Sequence, residues 1–321
     1  MDLHLLFDNL TNPALLFFIL GLFASQIKSD LEIPANSSKF ISLYLLLSIG
    51  FKGGQELVHS TFSMDIVWSI VLGIALAIVV PIYTFYILRL KFSVENAGAI
   101  AAAYGSVSAV TFVTAVSFLE IEQISFGGHM VAVMALMEAP SIIVGVLLMR
   151  LNSNGKKSES EMKGVFRHAI TNGSVLLILG SLLIGILASD AQAAGIKPFT
   201  TDIFKGFLAV FLLDMGITSG KKIGALLKKG KTALSFALIV PLFNGIFIAY
   251  ISSYFLSSEG DRFLLAILAA SASYIAVPAA MRLVAPKANP SLYLPMALAI
   301  TFPFNITLGM PIYLYVIQNW T

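Results

Sequence analysis

The chain has 321 residues, 58% of them hydrophobic and 12% charged, where a soluble domain carries about 45–50% apolar and about 25% charged residues. That composition excludes a soluble globular protein, and at roughly 20 apolar residues per crossing ten crossings would occupy about 200 residues. The lack of cysteine excludes disulfides, thiolate catalysis and Cys-ligated metals, and a net charge of +3 with the basic residues in loops gives a nucleic-acid partner no support.

The opening MDLHLLFDNL carries two Asp and no Lys or Arg, unlike the basic start of a cleavable signal peptide, so the first apolar segment is expected to stay. Apolar runs between charged breaks predict ten spans, at residues 12–27, 38–58, 66–90, 95–119, 128–151, 173–189, 202–220, 231–256, 261–284 and 291–317. All but four of the 20 Lys and Arg lie in the connections after odd-numbered spans, the exceptions being Lys52, Lys197, Lys205 and Arg262. The positive-inside rule then puts those connections in the cytoplasm and both termini outside. Residues 1–155 form a first five-helix unit, 156–172 a cytoplasmic linker loop, and 173–321 a second five-helix unit.

Sliding the second unit over the first gives ordered matches. Leu20-Gly21-Leu22-Phe23-Ala24-Ser25 of span 1 matches Ile184-Gly185-Ile186-Leu187-Ala188-Ser189 of span 6, and Gly50 and Gly54 of span 2 match Gly216 and Gly220 of span 7. AIAAAYGSVSAV from Ala99 in span 4 matches AILAASASYIAV from Ala266 in span 9, and spans 5 and 10 carry mid-span prolines, Pro140 and Pro303. Five crossings are an odd number, so the second unit enters the membrane in the opposite sense. The predicted fold class is an all-α polytopic membrane protein: ten transmembrane helices as two inverted five-helix repeats, with helices 4 and 9 interrupted. Inverted repeats are a common plan of secondary transporters, with the substrate site near the membrane midplane.

Helices 4 and 9 are the best places for that site. Gly105, Ser106 and Ser108 stand mid-span in one, and Ser271, Ser273 and Pro278 in the other, where proline removes a backbone donor and clashes one turn back. An interrupted helix presents free amides and a positive dipole end, which can hold a small anion without a fixed cation. Packing of small residues is the plainer account of the same composition. Buried charges are costly in hydrocarbon, which singles out Glu138 and Asp214 as cation ligands, proton carriers or groups bonded to freed backbone. Asn244, Thr301, Asn305 and Thr307 suit hydrogen bonds between helices, and Lys52 with Glu56, one turn on, suits a surface ion pair. No HExxH or GxSxG motif occurs, Gly216-Ile-Thr-Ser-Gly220-Lys221-Lys222 departs from a phosphate loop, and the four His stand far apart. Neither an enzyme nor a metal centre is expected, beyond Na⁺.

With these residues in view, the sequence resembles the sodium-dependent bicarbonate transporter family best known from cyanobacteria. The most specific pieces are Tyr104-Gly105-Ser106-Val107-Ser108-Ala109-Val110-Thr111 with Phe118-Leu119-Glu120, then Met137-Glu138-Ala139-Pro140, and Ala270 to Ser273 with Pro278, Arg282 and Ala288-Asn289-Pro290-Ser291-x-Tyr293. The resemblance implies a carrier with core and gate domains, assembled as a homotrimer in the bacterial inner membrane, moving bicarbonate with Na⁺ as coupling ion, and a PII-like regulatory protein as a partner. It carries substrate-binding roles to Ser106, Ser108, Thr111, Ser271 and Ser273, with the backbone at Ala109 and Ala276. Val110 stands where well-known members have Ser, and Tyr274 and Ala276 where they have Asp and Ser, which removes oxygen ligands for Na⁺. Two other readings stay open: a carrier of another small anion coupled to protons through Glu138, and a sensor homologue that no longer transports.

Overall fold

The computed structural model describes residues 9, 11–153, 171–227 and 230–320. Most of the predicted linker 156–172 lies outside these residues, as do Lys228, Lys229 and Thr321. Among the described residues the regular structure is entirely helical, as expected where each backbone polar group must be satisfied within its own segment.

Helices α1 (Pro13–Gln26), α2 (Ala35–His59) and α3 (Met64–Arg89) cover spans 1 to 3. Span 4 is two helices, α4 (Val94–Gly105) and α5 (Ala109–Ile121), and span 5 is α6 (His129–Leu151). In the second half, α7 (Gly173–Leu187) is followed by α8 (Asp190–Lys197), a π turn (Pro198–Asp202) and α9 (Phe204–Leu227). Then come α10 (Lys231–Ile251), α11 (Glu259–Ala270) and α12 (Ala276–Val284). The last span, 290–319, mixes α and π turns around Pro295 and Pro303 and ends in α13 (Met310–Asn319).

Six helical stretches are long and apolar enough to cross a membrane, while Pro13–Gln26 and Gly173–Leu187 are apolar but shorter. The prediction of ten full-length spans thus differs from the structure for physical reasons. Span 9 is divided into pieces of 12 and 9 residues, and α2 carries Lys39, Lys52 and Glu56. The stretch 190–197, expected as loop, is helical. Ser189 and Gln192 form a capping box at its start.

Two sets of helices emerge from the packing. In one, α1 lies along α9 and α2 along α7. Both pairs cross at glycine: a Cβ on Gly21 would strike the Leu213 carbonyl and one on Gly216 the Phe18 carbonyl, and Gly54 and Gly185 meet the carbonyls of Leu182 and Phe51 in the same way. In the other set, α3 packs on α4 and α6, while α10 packs on α11 and α13. The half-helices then cross over, α5 against α11 and α12 against α4.

The expected surface pair Lys52–Glu56 is replaced. Lys52 Nζ lies 2.7 Å from Glu120 Oε1, at the end of α5, so the nonlocal carboxylate wins over the one a turn away.

Candidate functional site

Each interruption begins where a helix with small residues in its last turn stops in extended backbone. Ser106 after α4 has φ −82° and ψ 177°, and Ser271 after α11 has φ −84° and ψ 170°. Taking these as equivalent gives an offset of 271 − 106 = 165, and 273 − 108 gives the same. The sequence match had placed the two segments 167 apart, because identities among many alanines reward composition over position. The breaks are tied directly: Ser108 N–H donates to Ser271 Oγ at 3.0 Å, and Ser273 N–H donates to the Ala103 carbonyl at 2.8 Å.

A narrow cavity of about 20 Å³ lies at this crossing, lined by Ser108, Ala109, Val110, Glu138, Ser273, Tyr274 and Ala276 among others. Seven expected site residues are therefore brought together. Three are not at its wall. Ser106 is fully buried with an unpartnered hydroxyl, Thr111 is buried with its amide held by Ser108 Oγ at 3.2 Å, and Ser271 bridges Ser108 N–H and the Leu268 carbonyl. Asp214 is also elsewhere: it lines an adjoining vestibule of about 460 Å³ with Lys39 and Lys222, and accepts a 2.5 Å hydrogen bond from Ser38 Oγ. Cavity and vestibule share Ser42, Ser174, Tyr274 and Ile275.

Ser42 on α2 and Ser174 on α7 were missed by sequence reasoning. A single serine in an apolar run carries no signal of its own, and both reach the cavity only because α2 and α7 pack together across from the breaks. Tyr274, which stands where a carboxylate was expected from the resemblance, packs its ring on Phe302 at 6.1 Å, and its hydroxyl is buried beside the cavity.

The chemistry of the wall is specific. No Lys or Arg lines the cavity among the described residues, and Glu138 is its one carboxylate. Both α5 and α12 start at the cavity, so the amides of Ala109, Val110 and Ala276 lie in first turns that have no helical acceptor. The positive ends of two helix dipoles converge there. Such a site can hold a small anion through amides and hydroxyls. Among the described residues no three His, Asp or Glu side chains gather to hold a metal ion.

The predicted interhelical bonds are made by three of four side chains. Asn244 donates to the Ala269 carbonyl at 3.1 Å, Asn305 to Ala270 at 2.8 Å and Thr301 to Ala237 at 2.7 Å. Thr307 instead bonds the Pro303 carbonyl of its own helix.

No curated protein matches the chain. The family model described as the Na⁺-dependent bicarbonate transporter superfamily matches residues 13–318. With nearly the whole chain covered by that match, this multi-pass membrane protein belongs to the Na⁺-dependent bicarbonate transporter superfamily.

Proposed function

We propose that the protein is a secondary active transporter of a small anion by alternating access, with bicarbonate in symport with Na⁺ as the first reading. The observation that carries it is the cavity between two cross-tied helix interruptions, lined by both half-helix N-termini and, among the described residues, by no basic side chain. Amides and dipoles suit a monovalent anion that must also leave.

The packing supports an inverted repeat. Exchanging spans 1 with 6 and 2 with 7 turns the pair α1·α9 into α7·α2, and both pairs exist. The same exchange turns α3·α4 into α10·α11, α3·α6 into α10·α13, and α5·α11 into α12·α4, each of them present. Ten helices in two such units, with Lys39 and Lys222 on the cytoplasmic side, make the vestibule an opening toward the cytoplasm. Glu138 on the cavity wall favours a second reading, in which protons drive another small anion.

The test is uptake of labelled bicarbonate into proteoliposomes, with Na⁺ and H⁺ gradients imposed separately. Uptake driven by Na⁺ alone supports the first reading, and uptake driven by H⁺ alone the second. No uptake under either gradient, in protein that remains folded, removes both.

A further inference from the structure

Three of the four basic residues that break the positive-inside pattern gather at one place. Lys52 on α2 and Lys205 on α9 both reach Glu120, at 2.7 Å to Oε1 and 3.6 Å to Oε2, and Lys197 shares an outer cavity of about 320 Å³ with Lys52. Lys52 and Lys205 belong to the α1, α2, α7, α9 set, whereas Glu120 ends α5 of the interrupted span. The two ion pairs therefore cross the seam between the sets. Lys52 Nζ also stands 5.8 Å from the centre of the Phe204 ring, which holds it at the seam. The backbones touch beside it, since a Cβ on Gly128 would strike the Gly53 carbonyl. At the opposite end the same seam is open, as the vestibule that reaches Tyr274 and Ser42.

We infer that Glu120, clamped by Lys52 and Lys205, is the latch that closes the outer entrance while the inner one is open. The inference rests on the alternating-access reading above. Opening the outer side must part α2 and α9 from α5, and both ion pairs break in that step. Glu120 then returns to water, and two lysines are released at the mouth through which an anion enters. Part-exposed ion pairs bias such an equilibrium modestly, which suits a latch that must open in every cycle.

The native chain has no cysteine, so one introduced thiol reports access cleanly. Leu46 lines the central cavity and lies on α2, about 9 Å along the helix before Lys52. In Leu46→Cys protein, a membrane-impermeant thiol reagent should react from the cytoplasmic face and slowly from outside. Adding Glu120→Gln should raise the outside rate about fivefold, the scale on which a broken ion pair shifts a two-state equilibrium. Combining Glu120→Gln with Lys52→Met should add little more, because both remove the same contact. Gly128→Val, which wedges the seam without altering charge, gives a second route to the same rise. An outside rate unchanged by Glu120→Gln overturns the latch, whether or not Gly128→Val raises it. A reporter that reacts equally from both faces without either change overturns the alternating-access reading itself.

Discussion

The two helix interruptions share a hydrogen-bond plan and differ in chemistry. The first is built from Gly105, Ser106, Val107 and Ser108, and the Ser108 hydroxyl caps α5 at the Thr111 amide. The second runs Ser271 to Ile275, and α12 follows Ile275, which supplies no side-chain cap; the Val277 amide reaches Ser273 Oγ at 3.5 Å. Their carbonyl ends differ as well. On α4 the Ala102 carbonyl is taken by Ser141 and the Ala103 carbonyl by Ser273, while on α11 the Ala269 and Ala270 carbonyls are taken by Asn244 and Asn305. These asparagines are themselves held by Tyr83 at 2.5 Å and Tyr313 at 3.0 Å. At both breaks the carbonyl ends are already engaged while the first turns of α5 and α12 line the cavity, an arrangement that suits an anion better than a cation. A hard cation prefers carboxylate and carbonyl oxygens, and at the second break Tyr274 supplies a phenol and Ala276 only backbone.

Filling the crossing should have the largest effect. Ser108→Leu or Ser273→Leu should reduce anion uptake to background, with a stability loss of about 1 kcal/mol for the missing cap in the first. Uptake and thermal unfolding measured on the same samples check this, and full uptake with Leu at either position would remove the crossing from the substrate path.

Next comes the chemical asymmetry. Tyr274→Asp together with Ala276→Ser should strengthen Na⁺ dependence severalfold by restoring a carboxylate and a hydroxyl at the second break. Na⁺-dependent thermal stabilisation of the original and altered proteins, side by side, is the measurement. Strong Na⁺ dependence in the unaltered protein that the double change abolishes would place the cation on other residues.

The carbonyl ends can be tested through stability alone. Asn305→Leu takes the side-chain donor from the buried Ala270 carbonyl and leaves the Tyr313 hydroxyl with only the Pro241 carbonyl at 3.3 Å, which should cost about 1–3 kcal/mol. Ser141→Ala, at the corresponding end of α4, should cost less because the Ala102 carbonyl keeps the Ser106 amide. Equal losses in detergent-solubilised protein would show that the two ends are interchangeable. The smallest effect belongs to the caps: Ser108→Ala should cost about 1 kcal/mol, and Ser273→Ala less, given its longer contact.

Much of this was legible from local composition. The apolar runs marked every helical region of the spans, because transfer into hydrocarbon is nearly a sum over residues. Gly105 with Ser106, and Pro278 after Ser273, marked both interruptions, because helix-breaking chemistry acts within one turn. Ser108 and Ser273 followed from their place at those interruptions, Glu138 from the cost of a carboxylate in hydrocarbon, and Ala109, Val110, Tyr274 and Ala276 from the family resemblance.

What stayed hidden depends on neighbours far along the chain. Helix α8 was lost among loop residues, since eight residues with Ile196 as their one large apolar side chain carry no apolar period. Ser42 and Ser174 gained their place from helix packing, and Ser106, Thr111 and Ser271 lost theirs to rotation about the breaks, by which Ser271 came to face Ser108 instead of the cavity. Lys52 found Glu120 across the seam over Glu56 on its own helix, since a charge takes the partner that tertiary packing brings nearest. Sequence by itself determined the membrane-spanning class, the helical regions and the two interruptions, all properties of residues within a turn of one another. Tertiary structure alone decided which hydroxyls face the cavity, which carboxylate meets which lysine and which end of the seam is closed, because these depend on contacts between residues distant along the chain, such as Ser108 and Ser271, 163 positions apart, which no local pattern encodes.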